Sequence, residues 1–184
     1  MNAATTEDAG SLCVGCALCC NGTLYGRARV TPGEEPRILE HGLKLEDFED
    51  KTYFRLPCKY EKCSRCTIYE TRFDICRSFK CALLKDCERG DVSLAEGRAI
   101  VERAVDLRAA VASSDPGAVN FQPRQELRVR LQQELADGTA TDRAATAQRL
   151  LNMAALDALL ERRFRNKKLA DQPADEPLTA SSNS

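Results

Sequence analysis

The chain has 184 residues, a formal net charge of −1 and 5% aromatic residues with no Trp. That size allows one domain or a small domain with an extension, and it excludes a large aromatic-rich core. The near-neutral charge gives no bulk attraction for a polyanion, and no run of about 18 apolar residues exists to span a membrane.

The N-terminal stretch "MNAATTEDAGSLC" has no basic n-region and no apolar h-region, so it does not read as a secretory signal. The expected location is a reducing compartment, most simply the cytoplasm. In such a compartment ten cysteines point to metal binding first, structural disulfides second and a redox-active disulfide third. All ten lie between Cys13 and Cys87. The chain therefore divides near Gly90 into a thiol-rich segment and a thiol-free one.

The first cluster is "CVGCALCC", residues 13–20. Cys13, Cys16 and Cys19 recur every third residue, a spacing that aims successive sulfurs at one ion or cluster. Gly15 permits a tight turn between the first two. The run is similar to the start of a bacterial ferredoxin but lacks the C-P that should follow. Cys20 is a separate problem, because adjacent side chains diverge. It serves a second metal, joins a multinuclear cluster, or packs as a small buried hydrophobe.

Next come pieces of scaffold. "RARVT" alternates as a short strand, "PGEEPRILEHG" reads as a short helix ended by Gly42, and "TYFRLPC" reads as another strand. His41, the only histidine, sits at the end of that helix, where an imidazole can meet the last carbonyls. The second cluster, residues 57–87, holds Cys58, Cys63, Cys66, Cys76, Cys81 and Cys87, with Cys63 and Cys66 in another C-x2-C. Residues 55–89 carry nine Lys/Arg against five Asp/Glu. Cationic neighbours of this kind are expected to lower thiol pKa and to offset thiolate charge.

Three helices follow. The first opens with a capping box, Ser93 and Glu96, and places Ile100, Ala104, Leu107 and Val111 on one face, ending at Asp115-Pro116-Gly117. The second has Pro123 at its start, Leu127, Leu131 and Leu135 inward, and Gly138 at its end. The third runs from about Asp142 to Arg165, with Ala147, Leu151, Ala154 and Ala158 expected on its packed face. From Asp171 the tail is polar and predicted to be disordered. The basic run "RRFRNKK", residues 162–168, suits a helix C-terminus better than a nucleic-acid site, since only Phe164 could stack on a base.

Two linked motifs carry a family resemblance. Cys13, Cys16, Cys19 and Cys20 form C-x2-C-x2-C-C, and "CTIYETRFDICRSFKC" follows at residues 66–81. Together they resemble the CxxCxxCC cysteine-cluster family (YkgJ-type), described as zinc- or iron-chelating domains. The resemblance covers roughly residues 12–82. Cys58, after "RLP", fits the family's isolated middle cysteine. Phe73 stands where the family usually has Pro, which predicts a less rigid turn there. The resemblance implies eight metal-ligand candidates: Cys13, Cys16, Cys19, Cys20, Cys58, Cys66, Cys76 and Cys81. Cys63 and Cys87 have no counterpart in the motif and rank below these. Arg72 and Arg77, which the motif holds beside cysteines, are candidates to support the ligands.

The expected fold is α+β. A small, loop-rich, metal-stapled cysteine domain (residues 1–90) precedes a mostly α-helical extension packed on it (91–170) and a disordered tail (171–184). The cofactor expected is zinc or iron, the latter including an iron–sulfur cluster, because soft thiolates select these over magnesium or calcium. The function expected is that of a small cytoplasmic metal-binding protein. One alternative is an enzyme that uses the cluster for redox or methyl transfer. A relative of the family, the flagellin lysine N-methylase, transfers a methyl group, but its long further region is not recognisable here. The other alternative is an interaction module with structural zinc, the helical half being its contact surface for a protein partner. No catalytic constellation is recognised, and neither nucleic acid nor membrane is an expected partner.

Overall fold

The computed structural model describes residues 9–166. The N-terminal residues read above as lacking a signal, the predicted disordered tail and the last two residues of the basic run lie outside the described residues. The fold is α+β. A short 3-10 helix (Ala9–Cys13) opens the chain. Then come β1 (Arg27–Arg29), α1 (Glu35–Glu40), β2 (Leu45–Phe48), β3 (Lys51–Arg55), β4 (Glu61–Lys62), β5 (Arg65–Cys66), α2 (Asp74–Ser78) and α3 (Ala82–Arg89). Three long helices complete it: α4 (Leu94–Ser114), α5 (Phe121–Ala136) and α6 (Arg143–Arg163), with a 3-10 turn at Pro116–Val119.

The strands make an antiparallel sheet in the order β1-β3-β2, and β4 and β5 make a separate hairpin. The sheet pairs Arg27 with Arg55 on one edge of β3 and Leu45 with Phe54 on the other. Strand β2 and the β4–β5 hairpin were not anticipated. Both hairpins turn on two residues with positive φ, Glu49-Asp50 and Cys63-Ser64. That geometry favours Asn-Gly or Asp-Gly pairs, so the usual sequence signal is absent here.

The capping reading of α4 holds in part. Ser93 accepts the Glu96 N–H at 3.2 Å, while the Glu96 carboxylate turns to Arg163 instead of closing the box. Asp142 caps α6 through the Ala145 N–H at 2.9 Å. The face expected for α6 is wrong. Leu151 is 63% exposed. Ala154 and Ala158 are also exposed, and Ala147 is half-buried. The buried face carries Thr146, Met153, Leu156 and Leu160. Larger side chains outbid an alanine stripe for the core, because burial free energy scales with apolar area. Two polar residues, Thr146 and Asp157, hid the true stripe.

Asp157 is on the inner side because it receives Arg124, which is fully buried on α5. Arg124 Nε donates to Asp157 at 2.9 Å, Nη1 to the Val119 carbonyl at 2.7 Å and Nη2 to the Thr23 carbonyl at 3.0 Å. A buried charge is tolerated only when paired and hydrogen-bonded in this manner. The Thr23 contact ties the helices to the cysteine loop.

Two apolar cores result. The larger joins Leu18, Leu24 and Leu83 to residues of α4, α5 and α6, fourteen buried side chains in all. The smaller comprises Val30, Ile38, Phe54 and Phe73. Among the described residues, no helix is long and apolar enough to cross a membrane.

Candidate metal centre

A cavity of about 1020 Å³ opens between the two cores. Eight cysteines from several segments line it: Cys13, Cys16, Cys19, Cys20, Cys58, Cys66, Cys76 and Cys81. Cys63 and Cys87 do not. All ten are free thiols.

Local structure places each one. Cys13 ends the first 3-10 helix, and Gly15, at φ +87°, reverses the chain toward Cys16. Only glycine takes that conformation at little cost. Leu18, fully buried in the larger core, anchors the loop so that Cys16 and Cys19 pack on the same core. Cys20 lies next to Cys58, whose N–H donates to the Cys20 carbonyl at 2.8 Å. Glu61 N–H donates to the Cys58 carbonyl at 2.9 Å, and Glu61 pairs across the hairpin with Cys66. Cys76 is on α2 and packs on the smaller core. Cys81 precedes α3 as its cap, its sulfur accepting the Leu84 N–H at 3.5 Å.

The other two cysteines go elsewhere. Cys63, exposed, occupies the tip of the β4–β5 turn, so the second C-x2-C is split between tip and cavity. Cys87 packs against α4 at Gly97, where an added Cβ would come within 2.8 Å of its sulfur.

The cationic effect expected on the thiols is overturned. Burial is the leading influence, and it pushes Cys16, Cys20 and Cys76 up to about 12 from an ordinary 9.0. Cys19 is raised well above its ordinary value, and Cys58 and Cys81 are raised too, again mainly by burial. Thiolate repulsion adds to burial. Cys16 and Cys19 are each repelled first by Cys81, Cys20 first by Cys58 and then Cys66, and Cys76 by Cys20, Cys58 and Cys66. Backbone N–H groups act the other way, from Leu18 on Cys16, Tyr60 and Glu61 on Cys58, and Leu83 and Leu84 on Cys81. Among the described residues, no three His, Cys, Asp or Glu side chains form a group that could hold an ion as placed. The sulfurs are thus near enough to repel one another without forming a finished shell.

The arginines named from the motif hold backbone rather than sulfur. Arg77 donates to the carbonyls of Arg72, at 3.0 Å, and Glu70, at 2.9 Å. Arg72 donates to the Tyr69 carbonyl at 2.8 Å and stacks over the Tyr69 ring. They fix the loop between Cys66 and Cys76. Phe73 holds φ −60°, the value a proline ring imposes, and is buried against Phe54 and His41. Packing supplies the rigidity that the missing proline would have given. His41 does end α1, but its imidazole meets the Tyr60 hydroxyl at 2.8 Å rather than the helix carbonyls.

Two residues of the site had no sequence signal. Glu34, buried, accepts the Asp74 N–H at 2.8 and 3.0 Å and Arg37 at 2.9 Å, so it caps the helix that carries Cys76 across forty residues of chain. Tyr25 lines the cavity with a buried hydroxyl that lacks a hydrogen-bond partner of normal geometry. Burial, then the Cys19 charge, pushes it up to about 12. The Arg165 charge and then the Asn166 backbone N–H oppose that shift.

The donor set fits a soft metal. The eight cysteines offer only sulfur and are free of disulfides. Seven Lys/Arg and three Glu line the same cavity, an excess of cations that suits anionic thiolate centres. No family model, curated protein or solved structure matches the chain.

Proposed function

We propose that this chain is a metal-binding protein whose eight cavity cysteines hold zinc or an iron–sulfur cluster. One observation carries the reading: eight free thiols from several segments line a single cavity, while the remaining two point elsewhere. The resemblance to the CxxCxxCC family names the same eight. When bound, the metal supplies a cross-link between the loop of residues 13–20, the β4–β5 hairpin and the starts of α2 and α3. Such binding is folding free energy, on the order of 10 kcal/mol for structural zinc. Each thiol yields its proton on binding, so the raised thiol pKa values make metal uptake favour higher pH. Ten reduced thiols suit the cytoplasm. A catalytic role is not part of the proposal, because among the described residues the cavity brings no histidine, nucleophile–base pair or phosphate loop to the sulfurs.

The test is the metal content and spectrum of the full chain purified without oxygen. Zinc in a colourless protein, or iron with sulfide and broad visible absorption, supports the reading. A folded chain that carries neither and takes up neither zinc nor iron with sulfide on reconstitution refutes it.

A further inference from the structure

We propose that the eight cysteines form two separate four-thiolate sites. One consists of Cys13, Cys16, Cys19 and Cys81, the other of Cys20, Cys58, Cys66 and Cys76. The inference rests on the metal-binding reading above and goes beyond it in number and membership.

Two observations divide the sulfurs in the same place. The first is backing. Cys16, Cys19 and Cys81 pack on the larger, helical core, whereas Cys76 packs on the smaller, sheet core. The second is backbone linkage. Cys20 is hydrogen-bonded to Cys58, Cys58 to Glu61, and Glu61 is the cross-strand partner of Cys66. On the other side, Cys81 opens α3, which packs on the 3-10 helix that ends in Cys13.

The division answers why Cys19 and Cys20 are adjacent. Neighbouring side chains leave the backbone in different directions, so the pair serves two centres from one point of the chain. Four thiolates complete a tetrahedral zinc site or a cubane cluster, and neither group needs a ligand from outside. Coordination of one divalent ion by four thiols releases four protons and leaves a centre of charge −2. Two such centres carry −4, and the cavity's seven Lys/Arg against three Glu balance it.

The experiment is metal stoichiometry of the full chain, four single variants and three double variants, refolded reduced with zinc and, separately, with cobalt(II). The parent takes two ions per chain, both with thiolate charge-transfer absorption. Cys16→Ser and Cys81→Ser each keep one ion, and combining them loses no more. Cys58→Ser and Cys76→Ser behave likewise, while Cys81→Ser with Cys58→Ser keeps none. Two variants per site guard against one that fails to fold, with circular dichroism as the check. If the parent binds a single equivalent, or if Cys16→Ser and Cys81→Ser together lose more than either alone, two sites are ruled out while metal binding stands. If the folded parent binds neither zinc nor cobalt and takes up no iron with sulfide on reconstitution, the reading beneath it falls as well.

Discussion

The helix-backed and sheet-backed parts of this molecule hold their cysteines by different means. Cys16, Cys19 and Cys81 rest on a core of fourteen buried side chains, tied by Arg124 to the loop that carries Cys16 and Cys19. Cys76 rests on a core of four. A domain that small cannot offset the conformational entropy of its chain by burial alone. On the proposed reading, the sheet part is the one whose order would depend on a bound metal, and the helical part is the platform.

Metal removal should separate the two most widely. With a chelator, the amides of β3 and of the β4–β5 hairpin are expected to lose nearly all hydrogen-exchange protection, while α4–α6 keep most of theirs. The loss corresponds to a metal contribution on the order of 10 kcal/mol. Simultaneous collapse of both parts would break the contrast. Arg124→Met attacks the platform instead. It strips Asp157, Val119 and Thr23 of their shared donor, and breaking a buried ion pair costs about 3 kcal/mol. The expected result is a lower denaturation midpoint for the helices with metal content unchanged.

Glu34→Ala sharpens the contrast from the sheet side. It uncaps α2 and removes the carboxylate partner of Arg37, at a cost of about 2 kcal/mol. Exchange at Cys76 should quicken, and that at Cys81 should not. Alkali probes the burial of the thiols themselves. In the metal-free chain the buried thiols of Cys16, Cys20 and Cys76 ionise near 12, and their unfolded counterparts near 9.0. Between those values the unfolded state has already lost protons that the folded state keeps. Stability is thus full below about pH 9 and falls as pH rises toward 12, by at most about 1.4 kcal/mol per thiol per pH unit. Urea midpoints from pH 8 to 11 measure it. A rise with pH would contradict the burial of these sulfurs.

Much of the fold was legible in the sequence. The caps Ser93 and Asp142, the turn at Gly15 and the strand through Tyr53 and Phe54 each had a local signal with a physical cause. The eight cysteines of the cavity are those that the family resemblance implies. What was not legible is non-local. Glu34 caps a helix forty residues away, and Asp157 turns inward only because Arg124 awaits it. The α6 face was misjudged for that reason. Both hairpins turn on residues that carry no turn signature, so β2, β4 and β5 were missed. The thiol pKa values ran opposite to expectation because charge can be counted in a sequence and burial cannot.

Cysteine labelling reads the central claim most directly. The full chain, loaded with zinc or purified without oxygen, is alkylated with and without a chelator, and the modified residues are identified by mass spectrometry. Cys13, Cys16, Cys19, Cys20, Cys58, Cys66, Cys76 and Cys81 should be protected by metal and should react once it is removed. Cys63, at its exposed turn, and Cys87, against Gly97, should react at rates the chelator does not change. Equal reactivity of all ten in both conditions, or protection centred on Cys63 and Cys87, would contradict a metal centre in this cavity.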